Sequence, residues 1–173
     1  MTRRILLLRH AMPDASPDSS PDTWPLSDEG ATAASQLCGR LPANGVLASS
    51  PELKARQTLE QAVGRHTNIV VDSRFAEVNR PGEPFDDGFH DRRFAWIVGH
   101  PHPIHEHWET PKAAASRFQA GIDAIDGESI VVASHGMVLT AWLVAVGVVR
   151  PGQEAGRFWS TLSMPDLIEV PVP

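Results

Sequence analysis

The chain has 173 residues, a length that fits one domain with a substantial core. Apolar residues make up 42% and the net charge is −6, with no block of lysines and arginines, which argues against a nucleic-acid partner and leaves an anionic ligand dependent on locally placed cations. The single cysteine, Cys38, excludes an internal disulfide, and no stretch approaches the roughly 18 apolar residues of a membrane span.

Residues 4–9 form a continuous apolar run that predicts a buried strand. Arg3-Arg4 ahead of Ile5–Leu8 imitates a secretory leader, but the run is too short for one and Arg9-His10 ends it; the expected location is the cytoplasm. Pro13 to Pro25 holds four prolines, three serines and three aspartates, the composition of a loop. Leu26 to Leu41 reads as a helix capped by Ser27, with Ala31, Ala34, Leu37, Cys38 and Leu41 on one face. Val46–Ala48 is a short strand, and Ser50-Pro51 reads as a cap and first helical position for a helix through Leu53–Val63. Ile69–Val71 is the third strand.

Residues 79–110 carry five of the eight histidines and two of the five tryptophans with weak periodicity, which predicts an irregular, partly helical insertion. Trp96 and Trp108 read as core. A helix opens at Thr110-Pro111 and runs to Ile125, followed by a buried strand at Ser129–Ala133 and an apolar helix at Gly136–Val146. Phe158–Leu162 and Leu167–Val170 read as two final strands. The expected fold class is α/β: a three-layer α/β/α sandwich, residues 1–173 forming one domain around a mostly parallel sheet.

Arg9-His10 follows the first strand and Ser134-His135-Gly136 follows the fourth, before a helix. In open α/β sheets ligands collect at the carboxyl ends of strands, so the two imidazoles converge if their strands are neighbours. Lys54 lies on the first turn of a helix that also follows a strand, and helix starts offer free N–H groups to anions. Cations, imidazoles and helix starts at one spot are what a phosphoryl group requires.

These residues fall into five ordered motifs. Leu6-Leu7-Leu8-Arg9-His10-Ala11 resembles the RHG/RHA signature of the histidine phosphatase (phosphoglycerate mutase-like) superfamily, and Leu26-Ser27-Asp28-Glu29-Gly30 is similar to its L-T-x-x-G helix start. Ser49–Thr58 is similar to its SSPLxRAxQT segment, Phe75-Ala76-Glu77 to its L-x-E motif, and Val132–Gly136 to its V-x-SHG motif. The resemblance implies a phosphatase acting on a small phosphorylated substrate. His10 would be the nucleophile, His135 a phosphoryl-binding group and Glu77 the acid for the leaving group. Arg9, Lys54, Ser16 and Gly136 would bind phosphate, and phosphate or sulfate would occupy the site. It implies no cofactor and no metal. Lys54 stands where the motif has arginine, keeping the charge but losing the bidentate fork, and Ser16 stands where many members have asparagine. Arg56, two residues on, would face the other side of the helix. Glu109 is a reserve acid.

The histidines at 100, 102, 105 and 107 offer ligand-like spacing. Pro101 and Pro103 interrupt any regular helix there, and no HxxxH pair with a glutamate is present, so a solvated or substrate-facing loop is the expected reading. Arg65-His66 repeats the Arg-His pair without a preceding strand and reads as surface. Two alternatives remain beside hydrolysis. A phosphoglycerate-type mutase would need more chain to shield its phosphoenzyme, and a phosphate-binding member without turnover would fit the lysine at 54. Small phosphohistidine phosphatases share the compact length but lack the acid that Glu77 would supply.

Overall fold

A computed structural model describes residues 3–64 and 68–170. Five strands form one sheet: β1 (Arg4–Arg9), β2 (Val46–Ser49), β3 (Ile69–Val71), β4 (Ser129–Ser134) and β5 (Asp166–Val170), in the order β3-β2-β4-β1-β5. The first four are mutually parallel and β5 closes the edge antiparallel to β1. Among the described residues six α-helices accompany them: α1 (Asp28–Ser35), α2 (Leu53–Val63), α3 (Phe89–Val98), α4 (Pro111–Asp123), α5 (Gly136–Ala145) and α6 (Gln153–Thr161).

The period-2 geometry of strands divides the core in two. Leu6, Leu8, Leu47, Val131 and Ala133 face α2 through Ala55, Leu59 and Ala62, while Leu7, Ala48, Ile130 and Val132 face Phe118, Met137, Leu139 and Trp142 of α4 and α5. Strands covered on both faces must be apolar on both, which is why β1 and β4 are unbroken hydrophobic runs. The layers are those expected of an α/β/α sandwich. The insertion is helical over α3, which packs on α6, and a short 3-10 turn follows at Pro103–His107. Trp96 and Trp108 are core residues.

Three elements differ most from the sequence reading. The first helix is shorter than Leu26–Leu41 and ends in turns after Ser35. The second helix begins at Leu53 with Glu52 in extended backbone at its N-cap, so Pro51 lies ahead of the helix rather than on its first turn. Phe158–Leu162 is not a strand: Ala155, Gly156 and Trp159 share one buried face of α6, a helical spacing that outweighs the β-propensity of Phe158 and Trp159. Arg65-His66 lies outside the described residues.

Gly30 ties α1 to the segment after His10. A Cβ built there would lie 2.1 Å from the Met12 carbonyl oxygen, a backbone atom that cannot swing aside. The close approach lets Ser27 donate its backbone N–H to the same carbonyl, at 3.0 Å. Gly30→Ala is therefore expected to destabilise the fold by about 1–3 kcal/mol, the scale of overpacking. Chemical denaturation measures this; an unchanged midpoint would show that Met12 can shift freely.

Candidate active site

Strands β1 and β4 pair in register from Arg4↔Ser129 to Arg9↔Ser134, and the His10 N–H donates to the Ser134 carbonyl at 3.0 Å. His10 and His135 thus leave adjacent strands at the same level, and their ring centroids lie 5.2 Å apart. His10 is 8% exposed and His135 fully buried. The His10 Nδ1 lies 2.8 Å from the Ala11 carbonyl oxygen. A carbonyl only accepts, so Nδ1 carries the proton and Nε2 keeps its lone pair.

His135 Nε2 meets the Ser50 hydroxyl at 2.8 Å, and that hydroxyl also accepts the Glu52 N–H at 3.2 Å. The other ring nitrogen, Nδ1, is buried without a partner, as is Nε of Arg9 among the described residues. Arg9 donates from Nη1 to the Leu162 carbonyl at 2.6 Å, which fixes the guanidinium beside α6. Gly136 opens α5 in close packing: a Cβ there would lie 3.0 Å from Trp159 Nε1 and 3.3 Å from Arg9 Nε. Buried polar atoms without partners are rare, and two of them fall on residues expected from the sequence to bind an anion.

Burial, first, pushes both histidines down to about 3; the neighbouring imidazole, Lys54 and Arg9 add to it for His10, while for His135 the opposing pull of Glu77 is outweighed by burial with Lys54, Arg80 and Arg117. His10 is thereby neutral, the form a nucleophile needs. Burial also lowers the Arg9 guanidinium, against the opposing pull of Glu77 and Asp166. Glu77 behaves differently. Burial alone would raise it, but Arg80, His135 and its backbone donors outweigh that and hold it at about 2. Its Oε1 accepts the N–H groups of Val78 at 2.9 Å and Val138 at 3.0 Å, and its Oε2 that of Met137 at 3.3 Å. A carboxylate on the first-turn amides of α5 satisfies donors that the helix cannot, and its charge suits the positive end of the helix. Arg117 braces the segment by donating to the Arg74 and Ala76 carbonyls, at 2.7 and 3.0 Å.

Lys54 is buried, with Nζ 2.6 Å from the Pro21 carbonyl, 2.5 Å from Glu52 Oε2 and 5.8 Å from the centre of the Trp24 ring. Its charge bears on both histidines. Arg56 is exposed on the opposite side, 3.7 Å from Glu60, as the helical register requires. Ser16 is not brought to the histidines by any hydrogen bond: its hydroxyl accepts the Asp18 N–H at 3.1 Å and its carbonyl accepts Trp24 Nε1 at 3.1 Å. Glu109 is held by Arg117 at 2.8 Å, bracing the loop rather than serving the pocket.

Sequence reasoning missed Glu52. It stands where the motif has leucine, two residues before the lysine that replaces arginine; that paired, opposite-charge departure was the available signal. Also missed were Arg80 and Arg93, whose Nε atoms each lie 2.8 Å from Glu83, Arg80 bearing on Glu77 and Arg93 on Arg9. Of the insertion's histidines, His105 bonds the Arg92 carbonyl at 2.9 Å and packs on Trp108, while His102 caps the 3-10 turn. Among the described residues no group of three or more His, Cys, Asp or Glu side chains gathers as a metal site, and no helix is long and apolar enough to cross a membrane.

The model of the histidine phosphatase superfamily, branch 1, matches residues 5–158, which spans all five motifs and both histidines. The chain belongs to this superfamily. Solved structures agree on the fold. Mycobacterial glucosyl-3-phosphoglycerate phosphatase matches with a TM-score of 0.68 at 19% identity, covering 98% of this chain and 90% of that one. Its vanadate complex matches at 0.68 and 18%, covering 98% and 92%. A point variant of a Thermus thermophilus protein matches at 0.71 and 24%, covering 98% and 94%. None of the curated protein sequences compared with it matches the chain.

Acid should weaken this histidine phosphatase member through the same groups. Between pH 6.5 and about 3 the unfolded chain binds protons on His10 and His135 that the folded chain refuses, so stability falls as pH is lowered through that range. Glu77 adds to the fall as the pH drops from about 4.5 towards 2, because its lowered folded value makes its contribution full only above that range. Each histidine contributes a slope of about 1.4 kcal/mol per pH unit. His135→Asn should remove about one proton from the slope of unfolding free energy against pH between 6 and 4, and equal slopes would show that His135 titrates normally.

Proposed function

We propose that the chain hydrolyses a phosphomonoester or phosphoramidate of a small metabolite through a phosphohistidine on His10. The observation that carries this is the His10 tautomer: with Nδ1–H donated to Ala11, a neutral Nε2 lone pair stands beside His135 in a pocket whose Arg9 and His135 retain unpartnered buried nitrogens. Nε2 attacks phosphorus, forming the N–P bond as the ester oxygen leaves. The Arg9 guanidinium and His135 donate to the phosphoryl oxygens, where charge stabilisation contributes most in phosphoryl transfer. For that, Ser50 donates to His135 Nε2, leaving the proton on Nδ1. Protein groups fill every role in this scheme, so no metal or cofactor is invoked. The vanadate complex of the mycobacterial phosphatase, a protein of the same fold, supports a phosphate-like ligand.

Glu77 is ionised in the resting protein. It acts as an acid only if it takes a proton from the arriving substrate: a phosphomonoester monoanion brings one, and its charge beside Glu77 favours the transfer. The carboxyl group then protonates the leaving oxygen, and as carboxylate it later accepts a proton from the water that breaks the N–P bond. Its anchorage on α5 also favours a second reading, phosphate binding without turnover, in which Glu77 is solely a helix cap.

Kinetics separate the two. His10→Ala should abolish turnover while the protein stays folded, and quenched wild type should carry an acid-labile, base-stable phosphoryl label. Full activity in the variant would overturn the assignment. Glu77→Gln should slow alkyl phosphates by about 100-fold or more, the scale of general acid catalysis, and nitrophenyl phosphate far less. An equal loss on both substrates would identify Glu77 as structural.

A further inference from the structure

We propose that Glu52 competes with the phosphoryl group for Lys54, weakening the pocket's hold on phosphate and so hastening product release; this rests on the phosphatase reading above. Lys54 is 5% exposed, so its ammonium has little access to water. Of its three N–H groups, two are taken by the Pro21 carbonyl and the Glu52 carboxylate, which leaves one for a ligand. The carboxylate is itself fixed. Its Oε1 accepts the Glu77 N–H at 2.8 Å and the residue's backbone N–H is bonded to Ser50, while the 3.4 Å from Oε1 to His135 Nε2 places its charge at the pocket. A phosphoryl group seated at His10 and His135 therefore shares Lys54 with an anion that cannot move away, and lies close to that anion's charge.

Both effects act in the same direction. Around the histidines stand five cations (Arg9, Lys54, Arg80, Arg93, Arg117) and four carboxylates (Glu52, Glu77, Glu83, Asp166), so the surplus of positive charge facing a dianion is small. The motif this segment resembles has leucine and arginine at 52 and 54, an arrangement without a competitor. The N-cap backbone of Glu52, φ −66° and ψ 133°, is what lets two residues so close in sequence pair instead of pointing apart. Substrate is then held more through its leaving group than through its phosphate, and free phosphate inhibits weakly.

The test is calorimetric titration of orthovanadate and inorganic phosphate into the full chain at fixed pH and salt. Glu52→Gln keeps the shape and removes the charge, and should tighten binding about tenfold, a modest fraction of the Coulomb energy between charges a few ångströms apart at intermediate dielectric. Removing one partner of a buried pair can destabilise the fold, so Lys54→Arg provides a second variant that strands no charge. Its five donors can serve Glu52 and the anion together, and it should also tighten binding. Binding by folded Glu52→Gln that is equal to or weaker than wild type, or no gain in Lys54→Arg, would each overturn the proposal. Absence of a phosphoryl label on His10 in quenched wild type would instead overturn the phosphatase reading itself.

Discussion

The register between β1 and β4 is the constraint on which the rest of the site depends. Because Arg9 lies opposite Ser134, the two chains leave the sheet together, and the bond from His10 N–H to Ser134 extends the ladder one residue further. A slip of one residue would turn each strand's core side chains to the other layer and separate the imidazoles. The two-sided core opposes any such slip, since Leu6 and Leu8 belong to one cluster and Leu7 to the other. The stability of the sandwich and the juxtaposition of two histidines are thus one structural fact.

Placing two imidazoles and several charges in a buried pocket requires compensation, and the surrounding segments supply it. Glu77 satisfies the amide groups that open α5, and Arg117 holds the loop that carries Glu77. Glu83 binds Arg80 and Arg93 across the insertion. Thr58 accepts the Ala11 N–H and donates to the Lys54 carbonyl, joining the nucleophile's loop to α2. Each of these buried ions therefore has a partner of opposite charge or a set of backbone donors, the condition under which burial of charge is tolerated.

Much of this was legible in the sequence. Apolar runs at 4–9 and 129–133, bounded by Arg-His and Ser-His-Gly, located both strands and both histidines, because a strand buried on both faces leaves a clear signature. Lys54 and Arg56 were correctly set on opposite sides by helical arithmetic. Phe158–Leu162 was misread because a five-residue apolar window carries no period long enough to separate strand from helix. Glu52 was invisible for a different reason: its burial follows from an N-cap conformation and from contacts to Glu77 and His135, both remote along the chain, which no local pattern encodes. Ser16 was carried over by position, whereas the prolines around it set a loop in which its hydroxyl serves its own turn.

The Glu52–Lys54 pair also constrains how this sequence can have diverged from relatives with leucine and arginine at those sites. Starting from that pattern, glutamate first would place a carboxylate beside an arginine, an acceptable intermediate with a fork able to serve two anions. Lysine first would keep a cation beside leucine and lose only the fork. From the present state the reverse steps are unequal: replacing Lys54 with an apolar residue strands a buried carboxylate, whereas replacing it with arginine does not. The two positions are therefore epistatic, and a lineage that has acquired the glutamate is expected to retain a cation at 54 through any later drift.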